Sequence, residues 1–165
     1  MRIRELMSHP PVTCAAGDHL DVPARLMWEY DCGVIPVVDD DGRLAGIVTD
    51  RDICMAAYTQ GQPLHTIPVT TAMAVKPMVC HPDDAIEDAE RLMREAQIRR
   101  VPVVDAEHRP QGVLSLNDLA RATARGRKGG LDRELVVTMA AICEPRAADG
   151  AAGRARPVIQ TAAAS

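Results

Sequence analysis

Two short polar motifs in this sequence combine a hydroxyl side chain with a carboxylate three residues later. The first is Thr49-Asp50-Arg51-Asp52 and the second is Ser115-Leu116-Asn117-Asp118. The spacing is that of a helix capping box with Asp in place of the usual Glu, so each motif predicts the start of a helix. Both pairs supply hydrogen-bonding groups. Neither an activated nucleophile nor an acid/base pair can be identified in the sequence, so no catalytic activity is expected.

The two motifs belong to an internal duplication with an offset of 66 residues. Positions 7–56 align with positions 73–122 without a gap. Sixteen residues are identical between the copies, and in the first copy they are Met7, Pro11, Cys14, Asp18, Arg25, Leu26, Met27, Glu29, Pro36, Val37, Val38, Asp39, Arg43, Gly46, Asp52 and Ala56. The chain therefore contains two copies of one folding unit.

A β-hairpin is predicted to position the first motif. Residues 34–38 and 44–48 form two apolar segments on either side of the acidic run Asp39-Asp40-Asp41 and Gly42. Asp and Gly tolerate left-handed backbone conformations, so the run is predicted to be a hairpin turn. Three adjacent carboxylates are also compatible with a cation site, but the turn is the better interpretation.

A helix is predicted before the hairpin in each copy, because apolar residues recur there at helical spacing. Asp18 and Asp84 are placed as the N-caps of these helices. Pro23 is expected to delay the start of the first helix or to kink it slightly. Each copy is therefore predicted to fold as β-α-β-β-α, which places the chain in the α+β class.

The duplication also predicts the organisation of the chain. Repeat 1 spans 1–60, a linker spans 61–68, and repeat 2 spans 69–124. Residues 125–145 are predicted to form a basic loop and one more helix, with Asp132 as its cap, and residues 146–165 to be a disordered tail. The last helix, from Leu131 to Ile142, is expected to pack through its apolar face, which comprises Leu135, Val136, Met139 and Ile142.

Composition narrows the class of protein. The 165 residues are 47% hydrophobic and 25% charged, as in globular domains. There is no Phe, one Trp and two Tyr, so base stacking and nucleic-acid binding are not expected. No apolar run is long enough for a membrane helix or a signal peptide, which predicts a cytoplasmic protein without membrane attachment. The five cysteines form no Cys-x-x-Cys pair, which favours reduced core thiols over disulfides or a metal site.

Charge is distributed unevenly along the chain. Residues 1–120 hold 11 Lys/Arg against 19 Asp/Glu, whereas residues 121–165 hold 8 against 4. A basic C-terminal segment is compatible with an anionic partner, but a solvated tail is the favoured interpretation.

The repeated pattern resembles that of CBS domains, which are named after cystathionine β-synthase. The resemblance covers residues 1–124 and rests on Gly-apolar-x-Thr/Ser-x-x-Asp at each last helix start and on x-Pro-Val-Val-Asp in each middle strand. The chain also resembles small stand-alone bacterial CBS-pair proteins of the hypoxic-response type, including the ending at residues 140–145. The resemblance implies two repeats packed about a pseudo-two-fold axis, a homodimer, and two clefts that bind an adenine nucleotide such as AMP, ADP, ATP, NAD or S-adenosylmethionine.

The resemblance also implies roles for individual residues. The ribose-binding pairs are Thr49 with Asp52 and Ser115 with Asp118. Residues that line the adenine slot are Ile35, Pro36, Val101 and Pro102, and residues that contact phosphate are Arg99, Arg100 and Arg51. Gly33 and Val34 replace the paired arginines in the first copy, so a phosphate-bearing ligand is expected to favour the cleft of the second motif.

Two alternatives stay open at this point. Both motifs can serve as capping boxes alone, in which case the chain is a ligand-free interaction or dimerisation protein that acts through its surface and its basic C-terminal segment. With or without a ligand, the implied function is regulatory, with no required cofactor and an unknown protein partner. The homodimer interface is expected to use helices of both repeats, including Met27, Trp28 or Met93.

Overall fold

The computed structural model describes residues 1–124 and 131–144. The same order of elements occurs twice, as predicted for an α+β repeat, and a final helix follows. The first repeat comprises β1 (Cys14–Ala15), α1 (Asp21–Glu29), β2 (Val34–Val38), β3 (Leu44–Thr49) and α2 (Asp50–Gln60). The remaining elements are β4 (Ala74–Val75), α3 (Ile86–Ala96), β5 (Arg100–Val104), β6 (Pro110–Ser115), α4 (Leu116–Ala124) and α5 (Leu131–Cys143). In the second repeat a single parallel bridge between Cys80 and Val103 replaces the first strand.

Both hairpins close through an aspartate at the turn. In the β2–β3 turn, the Asp39 carboxylate accepts hydrogen bonds from the backbone amides of Asp41 at 3.0 Å and Arg43 at 2.8 Å. The Asp105 carboxylate accepts equivalent bonds in the β5–β6 turn. Gly42 has a φ of 75°, which a residue with a side chain rarely adopts. The acidic run is therefore a turn, as predicted.

Two stretches, residues 3–8 and residues 67–74, each pack on the other repeat, and we call them the exchanged segments. Ile3 is fully buried in the core of the second repeat, and Ile67 and Val69 are fully buried in the core of the first. The backbone amide of Ile3 donates to the carbonyl of Asp84 at 3.1 Å, and the amide of Val69 donates to the carbonyl of Asp18 at 2.9 Å. These two bonds join equivalent positions, so the exchange is reciprocal and follows the pseudo-two-fold symmetry of the pair.

Each repeat has its own aliphatic core. Cys14 lies in the first core and Cys80 at the matching place in the second. Burial raises the pKa of the Cys14 thiol to about 12 and that of the Cys80 thiol to about 11, with a further contribution from the nearby Asp18 and Asp84 carboxylates respectively. Both thiols therefore stay protonated at neutral pH, and the prediction of core thiols is confirmed for Cys14 and Cys80, whereas Cys54 and Cys143 are exposed.

The predicted caps of the first helix in each repeat are wrong. Helix α1 begins at Asp21 after Leu20, and α3 begins at Ile86 after Ala85, with no side-chain cap in either case. The Asp18 carboxylate instead accepts a hydrogen bond from the amide of Ala15 at 2.8 Å, and Asp84 accepts one from the amide of His81 at 2.7 Å. The two aspartates therefore stabilise the turn before each helix, because the chain must first reverse its direction there.

Pro23 is the third residue of α1. The backbone amides of the first helical turn have no intrahelical acceptor, so proline removes no hydrogen bond at this position. Helix α1 begins three residues after Asp18, so the late start expected because of Pro23 is confirmed.

Helix α5 packs on α3 and α4 of the second repeat. Leu135 and Ile142 join the second core, as predicted, and Thr138 is fully buried between them. Val136 and Met139 are 64% and 45% exposed, so that part of the predicted face is wrong.

The buried stripe of α5 has spacings of three and four residues, which one side of a helix presents to its neighbours. Because α5 begins at Leu131, Asp132 lies inside its first turn and is not its cap. The predicted basic loop at 125–130 and the predicted tail at 146–165 lie outside the described residues.

Candidate functional site: two capping motifs and a shared arginine

The first motif forms the capping box that its spacing predicts. Thr49 ends β3, and its hydroxyl accepts a hydrogen bond from the amide of Asp52 at 3.2 Å. The Asp52 carboxylate accepts one bond from the amide of Thr49 at 3.0 Å and another from its hydroxyl at 2.7 Å. Both side chains are half-buried at the N-terminus of α2. This helix start presents a hydroxyl, a carboxylate and backbone amides together.

The second motif forms the same box and adds two further bonds. One oxygen of the Asp118 carboxylate accepts from the amide of Ser115 at 2.9 Å and from its hydroxyl at 2.5 Å. The other oxygen accepts from the hydroxyl of Ser8 at 3.3 Å and is ion-paired with the Arg121 guanidinium. The Asp118 side chain is only 5% exposed. We refer to Ser8, Arg121 and Asp118 as the Asp118 clamp.

Ser8 and Arg121 were not identified from the sequence. The position of Arg121 three residues after Asp118 in a predicted helix could have indicated their ion pair. Ser8 gave no such indication, because its contact depends on the exchange of the N-terminal segments. The equivalent positions around the first motif hold Ala74 and Met55, whose side chains cannot donate these bonds.

The glycine of each motif is required by the exchanged segments. A Cβ on Gly46 would lie 2.8 Å from the carbonyl oxygen of Ala74 and 2.8 Å from the sulfur of Met73. A Cβ on Gly112 would lie 2.7 Å from the carbonyl oxygen of Ser8 and 2.9 Å from the Met7 sulfur. Real Cβ atoms do not approach backbone oxygens so closely. The shared glycine therefore marks the place where a β-strand pairs closely with the segment of the other repeat.

Arg100 lies between the two motifs. Its backbone is paired with Ser115 across β5 and β6. Its guanidinium reaches the first repeat, where a Cβ on Gly33 would lie 2.7 Å from Nη2 of Arg100 and 2.8 Å from a carboxylate oxygen of Asp50. The absence of a side chain at Gly33 thus creates the space that Arg100 and Asp50 occupy. Arg99, just before β5, is exposed. Arg51, in the first turn of α2, is also exposed.

The residues expected at the adenine slots are almost inaccessible. Ile35 and Val101 are fully buried, each in the core of its own repeat. Pro36 and Pro102 follow them on β2 and β5, and both are also buried. Successive side chains of a strand face opposite sides. These segments can therefore line a cleft only through backbone atoms or the proline rings.

A shallow groove of about 280 Å³ lies on the first repeat between α1 and α2, and its lining residues are Ala24, Met27, Trp28, Asp50 and Ile53. Trp28 is 89% exposed. Met27 and Met93 are buried within their own repeats at 8% and 0% exposure, so Trp28 is the exposed one of the three residues expected at a dimer contact. A side chain that already fills a core has little surface left for a partner.

Within 1–124 and 131–144, no group of three or more His, Cys, Asp or Glu side chains could hold a metal ion. All five cysteines are free thiols. No helix in this part of the chain has both the length and the apolar character needed to cross a bilayer.

Comparisons with known proteins agree with this architecture. Hypoxic response protein 1 of Mycobacterium tuberculosis is 34% identical over 140 residues, which cover 82% of this chain and 90% of that protein. A CBS domain protein from Pyrobaculum aerophilum, solved in complex with AMP, superimposes with a TM-score of 0.70 at 26% identity and covers 83% of this chain and 99% of its own.

A second solved structure is the CBS domain pair of protein MJ0100 in complex with 5'-methylthioadenosine and S-adenosyl-L-methionine. It gives a TM-score of 0.70 at 25% identity and covers 78% of this chain and 98% of its own. The family model for the CBS domain matches residues 3–58 and 67–125. These two segments correspond to the two repeats of the structure, so the chain belongs to the CBS domain family as a tandem pair similar to the small stand-alone proteins of the hypoxic-response type.

Proposed function

We propose that this CBS pair is a non-catalytic regulatory module that binds an adenine nucleotide where α2 and α4 begin. Two structures of the same fold contain adenine ligands, AMP in one and S-adenosyl-L-methionine with 5'-methylthioadenosine in the other. A hydroxyl–carboxylate pair at each helix start offers acceptors for ribose hydroxyls, and the helix amides favour an anion. No cofactor is required for this role.

The observation that carries the proposal is the position of Arg100. Its backbone is next to the second motif, and its guanidinium lies against Gly33 beside the first. A guanidinium is always charged and can hold a phosphate through two parallel hydrogen bonds. Asp50 lies beside the same group and competes with a phosphate for it. A ligand with a ribose and a phosphate thus finds the groups it needs within one small region.

The Arg100 cation favours phosphate-bearing ligands, such as AMP, ADP, ATP and NAD, over S-adenosylmethionine. Arg51 and Arg99 are exposed neighbours of Asp50 and Arg100 in the sequence, and they add positive charge at the surface. The free thiols fit the reducing cytoplasm, which we propose as the location of the protein.

Thermal-shift measurements test this function. A ligand that binds only the native state raises the apparent melting temperature, by a few degrees when its concentration is about a hundred times its Kd. AMP, ADP, ATP, NAD, S-adenosylmethionine and adenosine would be compared at the same concentration. We expect AMP to stabilise the protein more than adenosine does. Arg100→Ala should remove this difference, whereas the control Arg43→Ala, at an exposed turn position, should keep it.

If none of the six compounds raises the melting temperature, the motifs are capping boxes alone, and the pair acts as a ligand-free interaction module.

A homodimer is the second part of the proposal. The observation that favours it is Trp28, which is 89% exposed beside the groove between α1 and α2. Tryptophan is enriched at protein–protein interfaces and among the residues that contribute most to binding. Binding of nucleotide would then be transmitted through the start of α2, since Asp50 lines the groove and also lies beside Gly33 and Arg100.

A further inference from the structure

We propose that the outer face of α5 in one copy of the chain packs into the groove between α1 and α2 of a second copy. The outer face consists of the exposed residues Val136, Val137 and Ala140. About a two-fold axis the same contact forms twice, because each copy has one groove and one outer face. This inference rests on the proposed homodimer and names the element of the partner that fills the groove.

The groove corresponds to a surface that already holds a helix in the second repeat. Helix α5 packs on α3 and α4, which are the counterparts of α1 and α2 in the duplication. Met27 of the groove aligns with Met93, and Ile53 aligns with Leu119. Both counterparts share the second core with buried residues of α5. The duplicated unit therefore has a seat for a helix in each copy, and in the described part of the chain only the seat of the second repeat is filled.

The two seats differ in polarity, which decides the kind of helix face that each one takes. In the second repeat, Arg94 donates to the hydroxyl of Thr138 on the inner side of α5 at 3.4 Å. In the groove of the first repeat, Trp28 stands at the position of Arg94, and Ala24 stands at the position of Glu90. The groove is thus more apolar than its counterpart. It matches a helix face of valine and alanine better than a face that carries a hydroxyl.

Helix α5 is also apolar on the side that points away from the second repeat. From 135 to 143, eight of nine residues are hydrophobic, and Thr138 is the exception. Val136 is 64% exposed and Val137 is 46% exposed. A helix that is apolar all round is typical of one that is covered on both sides. Short side chains such as valine and alanine also allow two helices to pack closely. The second covering surface of α5 therefore has to come from another molecule.

The size of the contact favours a reciprocal arrangement over a groove that meets a groove. A stable interface buries about 800 Å² per partner, from roughly 20–30 residues a side. Only five residues line the groove, so a single groove contact is small. When each copy contributes its groove and its α5, two separate contacts add to one interface. A convex helix also fills a groove at the packing density of a protein interior, whereas two facing grooves leave a void.

Sedimentation of the full chain with Ala140→Glu tests the proposal. The substitution places a charge in the middle of the outer face, at an exposed helical position where glutamate is well tolerated. We expect the dissociation constant of the dimer to rise by about tenfold or more, because the contact would bury an unpaired carboxylate. The control Met78→Glu adds the same charge at a 54% exposed position outside the helices and should leave the dissociation constant unchanged.

A double-mutant cycle identifies the groove as the seat of α5, and it also covers the case in which Ala140→Glu disturbs the helix. Trp28→Ala truncates the groove side of the contact, and Val137→Ala truncates the α5 side. Residues in contact show coupled effects, so the double variant should raise the dissociation constant by less than the product of the two single changes. Trp28→Ala combined with Met78→Ala is the matched control, in which the effects should multiply.

The outcomes separate the α5 contact from the proposed homodimer. A dimer that Ala140→Glu leaves intact, or independent effects of Trp28→Ala and Val137→Ala, would overturn the α5 contact alone. A dimer that is lost when the chain ends after Glu144 would also overturn it, since the occupant would then be the segment 146–165, which has only two large hydrophobic residues, Val158 and Ile159. A monomer at tens of micromolar would overturn the homodimer together with the α5 contact.

Discussion

The two repeats share a fold but differ in what covers their helices. In the second repeat, α5 lies on α3 and α4 and buries Leu135, Thr138 and Ile142 there. In the first repeat, no described helix covers the groove between α1 and α2. The sequence position that holds the exposed Trp28 in α1 holds Arg94 in α3, and Arg94 is half-buried and donates to the hydroxyl of Thr138 at 3.4 Å.

This difference shows where the duplicated unit has been adapted. Equivalent core positions hold similar residues, as Cys14 and Cys80 illustrate, because both repeats must fill similar interiors. The outer helix faces carry no such constraint. One face holds the intramolecular contact with α5, and the other leaves Trp28 exposed.

The largest expected effect is the loss of α5. A chain that ends after Lys128 lacks the buried Leu135 and Ile142, and full burial of such side chains contributes about 1.5–3 kcal/mol each. We expect its melting temperature to fall by roughly 10 °C or more, since about 1 kcal/mol corresponds to several degrees in a domain of this size. A chain that ends after Glu144 keeps α5 and should melt within about 2 °C of the full chain.

Single substitutions in α5 compare a buried position of the helix with an exposed one. Leu135→Ala should cost about 2–4 kcal/mol in the free energy of unfolding, whereas Val136→Ala, at an exposed position, should cost less than about 0.5 kcal/mol. Urea denaturation measures both. If the two truncations, or these two substitutions, prove equally harmless, the packing of α5 contributes nothing and the contrast between the repeats fails.

The next prediction concerns the glycine of each motif, a feature that the two repeats share. Gly46→Ala and Gly112→Ala each place a Cβ within 2.8 Å of a backbone carbonyl of the exchanged segment. Because such overpacking forces the backbone to shift, each should destabilise the protein by about 1–3 kcal/mol. The control is Gly17→Ala, since nothing lies within 4 Å of a Cβ at Gly17.

Denaturation midpoints of these three variants decide the question. Two glycine variants with very different losses would mean that only one of the exchanged segments is firmly held. If Gly17→Ala lowered the free energy of unfolding as much as the other two variants, the destabilisation would be a general effect of alanine and would not come from contact with the exchanged segments.

Much of the fold was accessible from the sequence because its determinants are local. The hairpin turn at Asp39 and the helix starts at Thr49 and Ser115 are set by residues within a few positions of one another. The offset of 66 residues then fixed the order of elements in the second repeat. The exchange of the first residues between repeats was not accessible, because Met7 and Met73 are identical and would fit either repeat equally well.

The errors have similar physical causes. Asp18 has the residue type of an N-cap, but it stabilises a preceding turn, and spacing alone does not separate the two roles. In α5, Val136 and Met139 are apolar and exposed, so hydrophobicity did not reveal which side packs. At the site, the hydroxyl–carboxylate pairs were readable from their spacing. Ser8 was not, because it comes from the opposite repeat.

The smallest expected effect concerns the open face of the first repeat and the proposed homodimer. Trp28 is almost fully exposed and belongs to neither core, so Trp28→Ala should leave the unfolding transition of the subunit nearly unchanged. In a dimer, the loss of a central tryptophan is expected to raise the dissociation constant about tenfold, or about 1.4 kcal/mol. Met78→Ala, at a 54% exposed position outside the helices, is the matched control and should leave the dimer intact.

Sedimentation across micromolar concentrations distinguishes the outcomes. A monomer at tens of micromolar in the unsubstituted chain would remove the homodimer, and the exposed Trp28 would then have to serve a different protein partner. Equal dimer affinity in Trp28→Ala and Met78→Ala would place the interface elsewhere. A specific weakening with Trp28→Ala would mean that the face left open by the first repeat joins two copies. In that case Asp50, which lines the groove and lies beside Arg100, provides the shortest route from a bound nucleotide to the dimer contact.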